Sequence, residues 1–506
     1  MSHTSEKDIS RETSTLGTRL ILAVLFLVAF FSYTWANQFP YFYHSDEESK
    51  ALQLLYGYRN YWHPMLMLNA TKTISWMLGA DHDAQSITMV GRYLAAIFSS
   101  VGVVCFVLFA KRRQGLFTAI LTGILLLTLP LLFEVSHYCK EDPALFMGLS
   151  IVLLALDMFL RKSTTQRLLF LGFATGLATS AKYPGALLII GMLPVIFWRF
   201  RKSGPVLLFL MSASITILTI NWQWIAHFQE LTAGIQRESR MLVNGHDGVA
   251  SQFPHAAFLR ILLNQHGWPI ILIAGLAILL TMRREARPNV ESMLGFACLI
   301  TLVFISFSAK VSDRYLLPIM AIILYLSACG VKILGDFVSL NYRPLFLGTI
   351  IGFMLWHPGT MLSLWITDFR SDSREEMAQW ISNHLNKNDK LATSLWTRLP
   401  GIYPGQFISG VAPVDYVADL GSLPELQDMG YSWIAVADVE SGHFTHSMQT
   451  GDAQFEAAYQ RRREFYSSLQ KEGILQWSSP PGVIYNLHPG LKLYQLHPGK
   501  LPATTL

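Results

Sequence analysis

Residues 88–113 read TMVGRYLAAIFSSVGVVCFVLFAKRR, an apolar run that closes on Lys111-Arg112-Arg113. A helix rises about 1.5 Å per residue, so such a run crosses the ~30 Å hydrocarbon layer of a bilayer, and a basic cluster at its end marks a cytoplasmic loop. The pattern recurs. Apolar windows lie at 19–36, 88–110, 116–134, 143–160, 166–182, 184–199, 205–223, 267–282, 293–309, 314–333 and 343–365, which predicts a polytopic α-helical membrane protein with about eleven transmembrane helices. The fifth and sixth windows are separated at Lys182-Tyr183-Pro184-Gly185, because proline ends a helix and glycine permits the turn.

Threading the windows in order puts Lys111-Arg112-Arg113, Arg161-Lys162 with Arg167, Arg199 with Arg201 and Lys202, and Arg283-Arg284 with Arg287 on one side. That side is expected to be the cytoplasm, with the N-terminus on it. The connections 37–87, 135–142, 182–184, 224–266 and 310–313, and everything after the last window, then face outward. The first apolar run has no small-residue cleavage pattern after it and is expected to be a retained helix. Trp35, Trp62, Trp76, Trp222, Trp224, Trp268 and Trp365 fall near window ends or in outward loops, as interfacial tryptophans do.

The composition agrees: 52% of the 506 residues are hydrophobic and only 14% charged, and a net charge of +5 spread over short clusters offers no nucleic-acid surface. Cys105, Cys139, Cys298 and Cys329 lie in or beside apolar runs, without the spacing of a disulfide framework or a zinc site. Past residue 370 the chain reads as a soluble α/β module. Helices are predicted over Arg374–Leu385 and Phe455–Leu469, and strands over Lys390–Ser394 and Trp433–Val436, with apolar alternation in 482–485 and 491–494. Two domains are expected: a membrane domain, 1–369, with outward loops 37–87 and 224–266, and an extracytoplasmic α/β domain, 370–506.

Charges inside the bilayer mark transport paths, and the windows hold few of them. The ionisable residues collect at outward helix ends: Asp46-Glu47-Glu48, His63, Glu134, His137, Lys140, Glu141, Asp142, Lys182, Lys310, Asp313 and Arg314. Carboxylates and cations at one depth suit a reaction at the outer membrane surface, where a carboxylate takes a proton from a hydroxyl and cations hold a departing phosphate. Each element has a plainer reading as well. Asp46-Glu47-Glu48 and Asp142-Pro143 are good helix starts, and Lys182 or Arg314 is equally a cation snorkelling to the interface. Asn69-Ala70-Thr71 matches a glycosylation acceptor in an outward loop.

In order along the chain, Tyr43-His44-Ser45-Asp46-Glu47, Trp62-His63-Pro64, His137-Tyr138-Cys139-Lys140-Glu141-Asp142, Gly176-Leu177-Ala178 with Lys182-Tyr183-Pro184, and Lys310 with Arg314-Tyr315-Leu316-Leu317-Pro318 resemble the GT-C superfamily. The likeness is to its polyprenyl-phosphate-sugar-dependent glycosyltransferases, those similar to protein O-mannosyltransferases and to the aminoarabinose transferase of lipid A. Trp380-Ile381, Gly430-Tyr431-Ser432-Trp433-Ile434 and Leu491-Lys492-Leu493-Tyr494 extend it into the C-terminal module. The resemblance implies that Asp46 is the base that activates the acceptor, with Glu47 beside it, and that Asp142 is the acid of the second outward loop. It implies Lys182, Arg314 and Lys140 as donor-phosphate ligands. His63 and Tyr315 are expected to line the substrate. The chain departs from the pattern at Glu48-Ser49-Lys50, where aromatic residues are usual, and at Lys140, where arginine is more frequent.

The expected activity is transfer of a sugar from a polyprenyl-phosphate donor to an extracytoplasmic acceptor (protein, lipid A or glycan), with the bilayer as a further partner and no nucleic acid. The expected location is a bacterial inner membrane. Some relatives use a divalent metal, although no metal-ligand spacing stands out here. Two rivals make different predictions: a lipid-linked-sugar flippase would move its carrier without making a glycosidic bond, and a noncatalytic scaffold would tolerate loss of Asp46, Asp142 and Lys182.

Overall fold

The computed structural model describes residues 5–38, 45–245, 249–250, 253–284, 289–370, 372–386, 389–394, 396–397, 399, 414, 416–445, 448–449, 453–484 and 487–496. Tyr43, His44, Arg287 and Tyr485, singled out above, lie outside these residues.

The membrane part begins with α1 (Ser5–Tyr33), α2 (Ser45–Tyr56), α3 (Leu66–Met77), α4 (Ala84–Gln114), α5 (Leu116–Leu127), α6 (Pro130–Val135), α7 (Asp142–Arg161), α8 (Thr165–Ala181), α9 (Ala186–Phe200) and α10 (Ser203–Ile220). It continues through α11 (Gln223–Ala226), α12 (Phe228–Asn244), strand β1 (Val249–Ala250), α13 (Pro254–His266), α14 (Trp268–Arg284), α15 (Val290–Ile305), α16 (Leu317–Gly335) and α17 (Arg343–Asp368). Local chemistry sets several of these ends. The Asp83, Thr164 and Asn289 side chains accept from backbone N–H groups in the first turns of α4, α8 and α15. Gly115, at φ 91°, makes the corner between α4 and α5 that a side chain would strain.

Six helices among the described residues are long and apolar enough to cross a membrane, and α13 with α14, bent by 102°, makes a seventh if the pair is one broken span. This falls short of the predicted eleven. Window 116–134 shows why: Pro130 starts a new helix, so the apolar run divides into α5 and α6. The apolar stretches Gly17–Tyr33, Leu116–Leu127 and Val290–Ile305 are shorter helices.

Small residues bring the spans together. A Cβ on Gly148 of α7 would meet the Ala178 backbone at 2.7 Å, and Cβ atoms on Gly172 and Gly176 of α8 would lie 2.6 Å from the Phe209 and Ala213 carbonyl oxygens of α10. Lipid tails do not drive helices together, so this close backbone approach supplies the packing. At one end of the bundle Arg112, Arg113 and Arg161 gather around the buried Asp157, and Arg113 also pairs with Glu291. The basic clusters of separate loops therefore share an end. Asp142 begins the same helix that Arg161 ends, so it lies at the opposite end.

The C-terminal part runs α18 (Ser373–His384), β2 (Lys390–Ala392), α19 (Leu423–Asp428), β3 (Tyr431–Ala437), α20 (Asp438–Thr445), β4 (Met448–Gln449), α21 (Ala453–Glu472), β5 (Ile474–Ser479) and β6 (Leu491–Gln495). Its four-stranded sheet has the order β2-β3-β6-β5, with β2 parallel to β3 and the other pairs antiparallel. Alternation along β3 divides the core between the two faces. Trp433 and Ala435 join Met377 and Ile381 of α18, whereas Ile434 and Val436 join Tyr466 and Leu469 of α21.

Both predicted helices and both predicted strands are present, displaced by a few residues at their ends. The alternation at 482–485 is not a strand among the described residues, and the remaining strand is β5, whose first three side chains are exposed and give no alternating signal. Two features join this part to the helices. Ile484 N–H donates to Asp368 Oδ2 at 2.8 Å, with Ile484 and Leu487 packed into the membrane core beside Phe369, and β1 pairs antiparallel with β4.

Candidate active site

The first turns of α2 and α7 and the last residue after α8 meet at one place. A helix N-terminus carries partial positive charge and its C-terminus partial negative charge, so acids starting α2 and α7 and a lysine closing α8 are favoured locally before any ligand is considered. Asp46 and Glu47 lie in the first turn of α2, Asp142 opens α7 with Pro143 behind it, and Lys182 caps α8. Arg314 and Tyr315 come from a short 3-10 turn, Asp313–Leu316, that leads into α16.

Three ion pairs organise the cluster. Lys140 Nζ lies 2.6 Å from Asp46 Oδ2, Lys182 Nζ 2.6 Å from Asp142 Oδ1, and Lys50 Nζ 3.1 Å from Glu141 Oε1. Asp46 keeps 37% of its side-chain surface exposed, whereas its partner Lys140 and the Lys50–Glu141 and Lys182–Asp142 pairs are almost fully covered. The charge of Arg314 acts on both Asp46 and Asp142, and the Lys182 ammonium sits 5.5 Å above the Tyr315 ring. His63 Nε2 approaches Glu141 Oε2 at 4.0 Å.

Glu47 has a different setting from its neighbour. Arg92 grips it bidentately, Nε to Oε1 at 3.0 Å and Nη2 to Oε2 at 2.8 Å, and Cys139 N–H donates to Oε1 at 3.0 Å. Arg92 also donates to the Asn37 carbonyl, so one buried side chain joins the end of α1, the start of α2, the length of α4 and the 136–141 turn. Through this clamp Glu47 ties the first turn of α2 to α4 and to the 136–141 turn.

Burial and electrostatics act in opposition here. Burial and the like charge of Arg314 push the Lys140 ammonium down to about 7, and Asp46 opposes them only in part. Burial opposes the charge on Lys50 too, but Glu141 and Asp46 outweigh it and hold Lys50 above the usual lysine range. Burial likewise works against the Glu141 carboxylate, and Lys50 with His63 outweighs it, so Glu141 titrates below the ordinary range. His63 is pushed down by burial, with Lys50 and Lys182 adding to the effect, and is therefore neutral near pH 7.

The residues singled out from sequence, Asp46, Glu47, His63, Lys140, Asp142, Lys182, Arg314 and Tyr315, thus fall in one connected region. Lys50, Arg92, Glu141, Glu238 and Lys310 were given no role there. Arg92 had the clearest signal, a lone charge inside the apolar window 88–110. Lys50 follows Asp46 by four residues and so shares its helical face. The buried face of α2 carries Glu47, Lys50 and Gln53, while Tyr56 is exposed, so its inward side is largely polar. Asn69 bonds to the Ile220 carbonyl and Gln223, and Thr71 is buried, which places the glycosylation match inside the fold.

No group of three or more His, Cys, Asp or Glu side chains converges among the described residues. Asp46 and Asp142 each already face a lysine. This donor set does not fit a divalent metal.

Residues 73–224 match the family described as Dolichyl-phosphate-mannose-protein mannosyltransferase. Curated proteins give no sequence match. Among solved structures, ArnT from Cupriavidus metallidurans bound to undecaprenyl phosphate is similar with a TM-score of 0.54 at 14% identity, over 94% of this chain and 98% of that one. The archaeal oligosaccharyltransferase AglB from Archaeoglobus fulgidus, in complex with an inhibitory peptide and a dolichol-phosphate, is similar with a TM-score of 0.51 at 11% identity, over 96% of this chain and 75% of that one. The ordered motifs and the architecture of nearly the whole chain agree: this protein has the GT-C fold.

Proposed function

We propose that this protein transfers a sugar from a polyprenyl-phosphate carrier to an acceptor outside the cytoplasm. The observation that carries the proposal is the convergence of Asp46 and Asp142, each 2.6 Å from a lysine, with Arg314 acting on both. Asp46, the more exposed acid, takes the proton of the acceptor hydroxyl as its oxygen attacks the anomeric carbon. The bond from that carbon to the phosphate oxygen breaks, and its electron pair stays on the phosphate. Lys140, Lys182 and Arg314 hold the phosphate, Asp142 orients the sugar or acceptor, and His63 and Tyr315 line the site. Support comes from the fold shared with ArnT, whose structure contains undecaprenyl phosphate, and with AglB, whose structure contains a dolichol-phosphate.

In this reading α1, α5, α8 and α15 cross the membrane with the longer spans, giving about eleven crossings. The Asp157 end is cytoplasmic, the site and residues 370–506 are periplasmic, and the membrane is a bacterial inner membrane. The test uses membranes containing the wild-type chain or D46N, supplied with undecaprenyl-phosphate-linked sugars and the cell's lipid and protein fractions. Wild type is expected to release undecaprenyl phosphate and form a new glycosidic bond, detected by mass spectrometry. Equal turnover by D46N removes Asp46 as base, and carrier movement without a new bond identifies a transporter.

A further inference from the structure

Four lysines surround the site, and three are committed to carboxylates: Lys50 to Glu141, Lys140 to Asp46 and Lys182 to Asp142. Lys310 is not. Among the described residues the one hydrogen-bond contact of its ammonium is Met241 Sδ at 3.7 Å, and no carboxylate oxygen pairs with it. A thioether is a weak acceptor, so the ammonium is left without a strong partner. Lys310 is partly buried, and burial with the like charges of Arg314 and Lys182 pushes its pKa down, against which Glu238 and Asp46 act from a distance. A charge withdrawn from water is ordinarily matched by a counter-charge.

Its position is fixed by backbone. Ala309 N–H donates to the Leu242 carbonyl at 2.8 Å, and Ser308 Oγ donates to the Lys310 carbonyl at 2.9 Å, so the 308–310 segment is held on α12 rather than swinging freely. α12 also carries Glu238, and Arg237, whose guanidinium stacks 3.5 Å from the Trp62 ring in the loop that contains His63. Lys310 thus sits on a fixed support four residues before Arg314, near enough to Asp46, Lys182 and Arg314 for their charges to act on it.

We propose, resting on the polyprenyl-phosphate reading above, that Lys310 is the catalytic cation that meets the negative charge appearing on the carrier phosphate as the sugar departs. The donor is a phosphodiester with one negative charge. Breaking the bond between the anomeric carbon and the phosphate oxygen leaves a monoester with about −1.5 to −2 charge near pH 7. The proton lost by the acceptor neutralises Asp46, which releases Lys140 only once that proton has arrived, and Lys182 stays on Asp142; Lys310 has no carboxylate to leave and can meet the new charge from the start. A cation without a resting partner binds the later, more charged state in preference to the ground state, which is how binding energy accelerates a step.

Binding of four probes to the full-length protein in nanodiscs tests this: farnesyl phosphate (a monoester), farnesyl methyl phosphate (a diester), farnesol and inorganic phosphate. Wild type is expected to prefer the monoester to the diester by about tenfold or more. K310Q is expected to abolish that preference while still binding the diester, and K310R to retain it. In wild type, farnesyl phosphate but not farnesol is expected to protect Lys310 from acetylation, a readout that requires no variant to fold. A monoester preference unchanged in K310Q, no preference in wild type, or no protection of Lys310 overturns the role of Lys310. Displacement of the monoester by an equal concentration of inorganic phosphate overturns its assignment to the lipid carrier. Wild type that binds farnesol as tightly as either phosphate overturns the polyprenyl-phosphate reading itself.

Discussion

Lys182 Nζ lies 2.6 Å from Asp142 Oδ1, across 40 residues of sequence, and both side chains are nearly covered. Each residue also sits where its helix end prefers its charge. The local preference and the tertiary pair are the same contact, so Lys182 is engaged by a carboxylate, and under the proposed function a donor phosphate shares or displaces that partner.

Breaking this pair from either side leaves a buried charge without compensation. D142A and K182M are each expected to lower stability by about 3–5 kcal/mol, and the double variant by much less than their sum. Thermal unfolding of the four proteins in one detergent measures the coupling. Additive losses would mean that the two groups do not sense each other.

Adjacent Asp46 and Glu47 should separate cleanly on mutation. Asp46 is the more exposed, and Lys140, already titrating near 7, can shed its proton when its partner is lost. D46N is expected to lose transfer at nearly unchanged melting temperature. E47A strands the buried Arg92 and the Cys139 amide and is expected to cost about 3 kcal/mol or more. Melting temperature and turnover for both variants decide the matter, and a stable, fully active E47A would contradict the clamp.

Lys140 is charged below about 7 and neutral above it. If its charge helps to hold the donor phosphate, the rate falls as pH rises through about 7. K140R keeps the charge at all accessible pH values and should move that alkaline limb upward. The pH–rate profiles of the two proteins test this, and a limb that stays in place assigns it to another group.

Glu440 in the C-terminal part is pushed up to about 7 by burial, despite hydrogen bonds from Ser394 Oγ, Tyr466 Oη and the Val417 amide. Between its ordinary value near 4.5 and about 7 the folded chain holds a proton that the unfolded chain has lost, so stability falls as pH rises through this window and levels off above it. The difference amounts to about 3 kcal/mol, and E440Q should remove it. Melting curves from pH 4.5 to 8 provide the comparison. An identical slope in E440Q would place the titration elsewhere.

Much of the architecture was legible because the bilayer imposes it. Long apolar windows are a one-dimensional signal of burial in lipid, and the compositional change near residue 370 coincides with the start of the part that carries the four-stranded sheet. Where the signal failed, a local break or an exposed surface was the cause. Pro130 divided one window into α5 and α6, and β5 escaped notice because its first side chains face solvent.

The residues of the candidate site were likewise visible as types at helix ends, since acids and cations there are favoured whatever their role. Their partners were not. Nothing in the order of residues pairs Asp46 with Lys140, sends Glu47 into Arg92 or leaves Lys310 against Met241, because such pairings depend on how α2, α4, α7, α8 and α12 come together. The sequence by itself determined a helical membrane chain with charged groups at one end. Only tertiary packing decided which charges face an opposite charge and which do not, since a contact between charges is set by distance in space and not by separation along the chain.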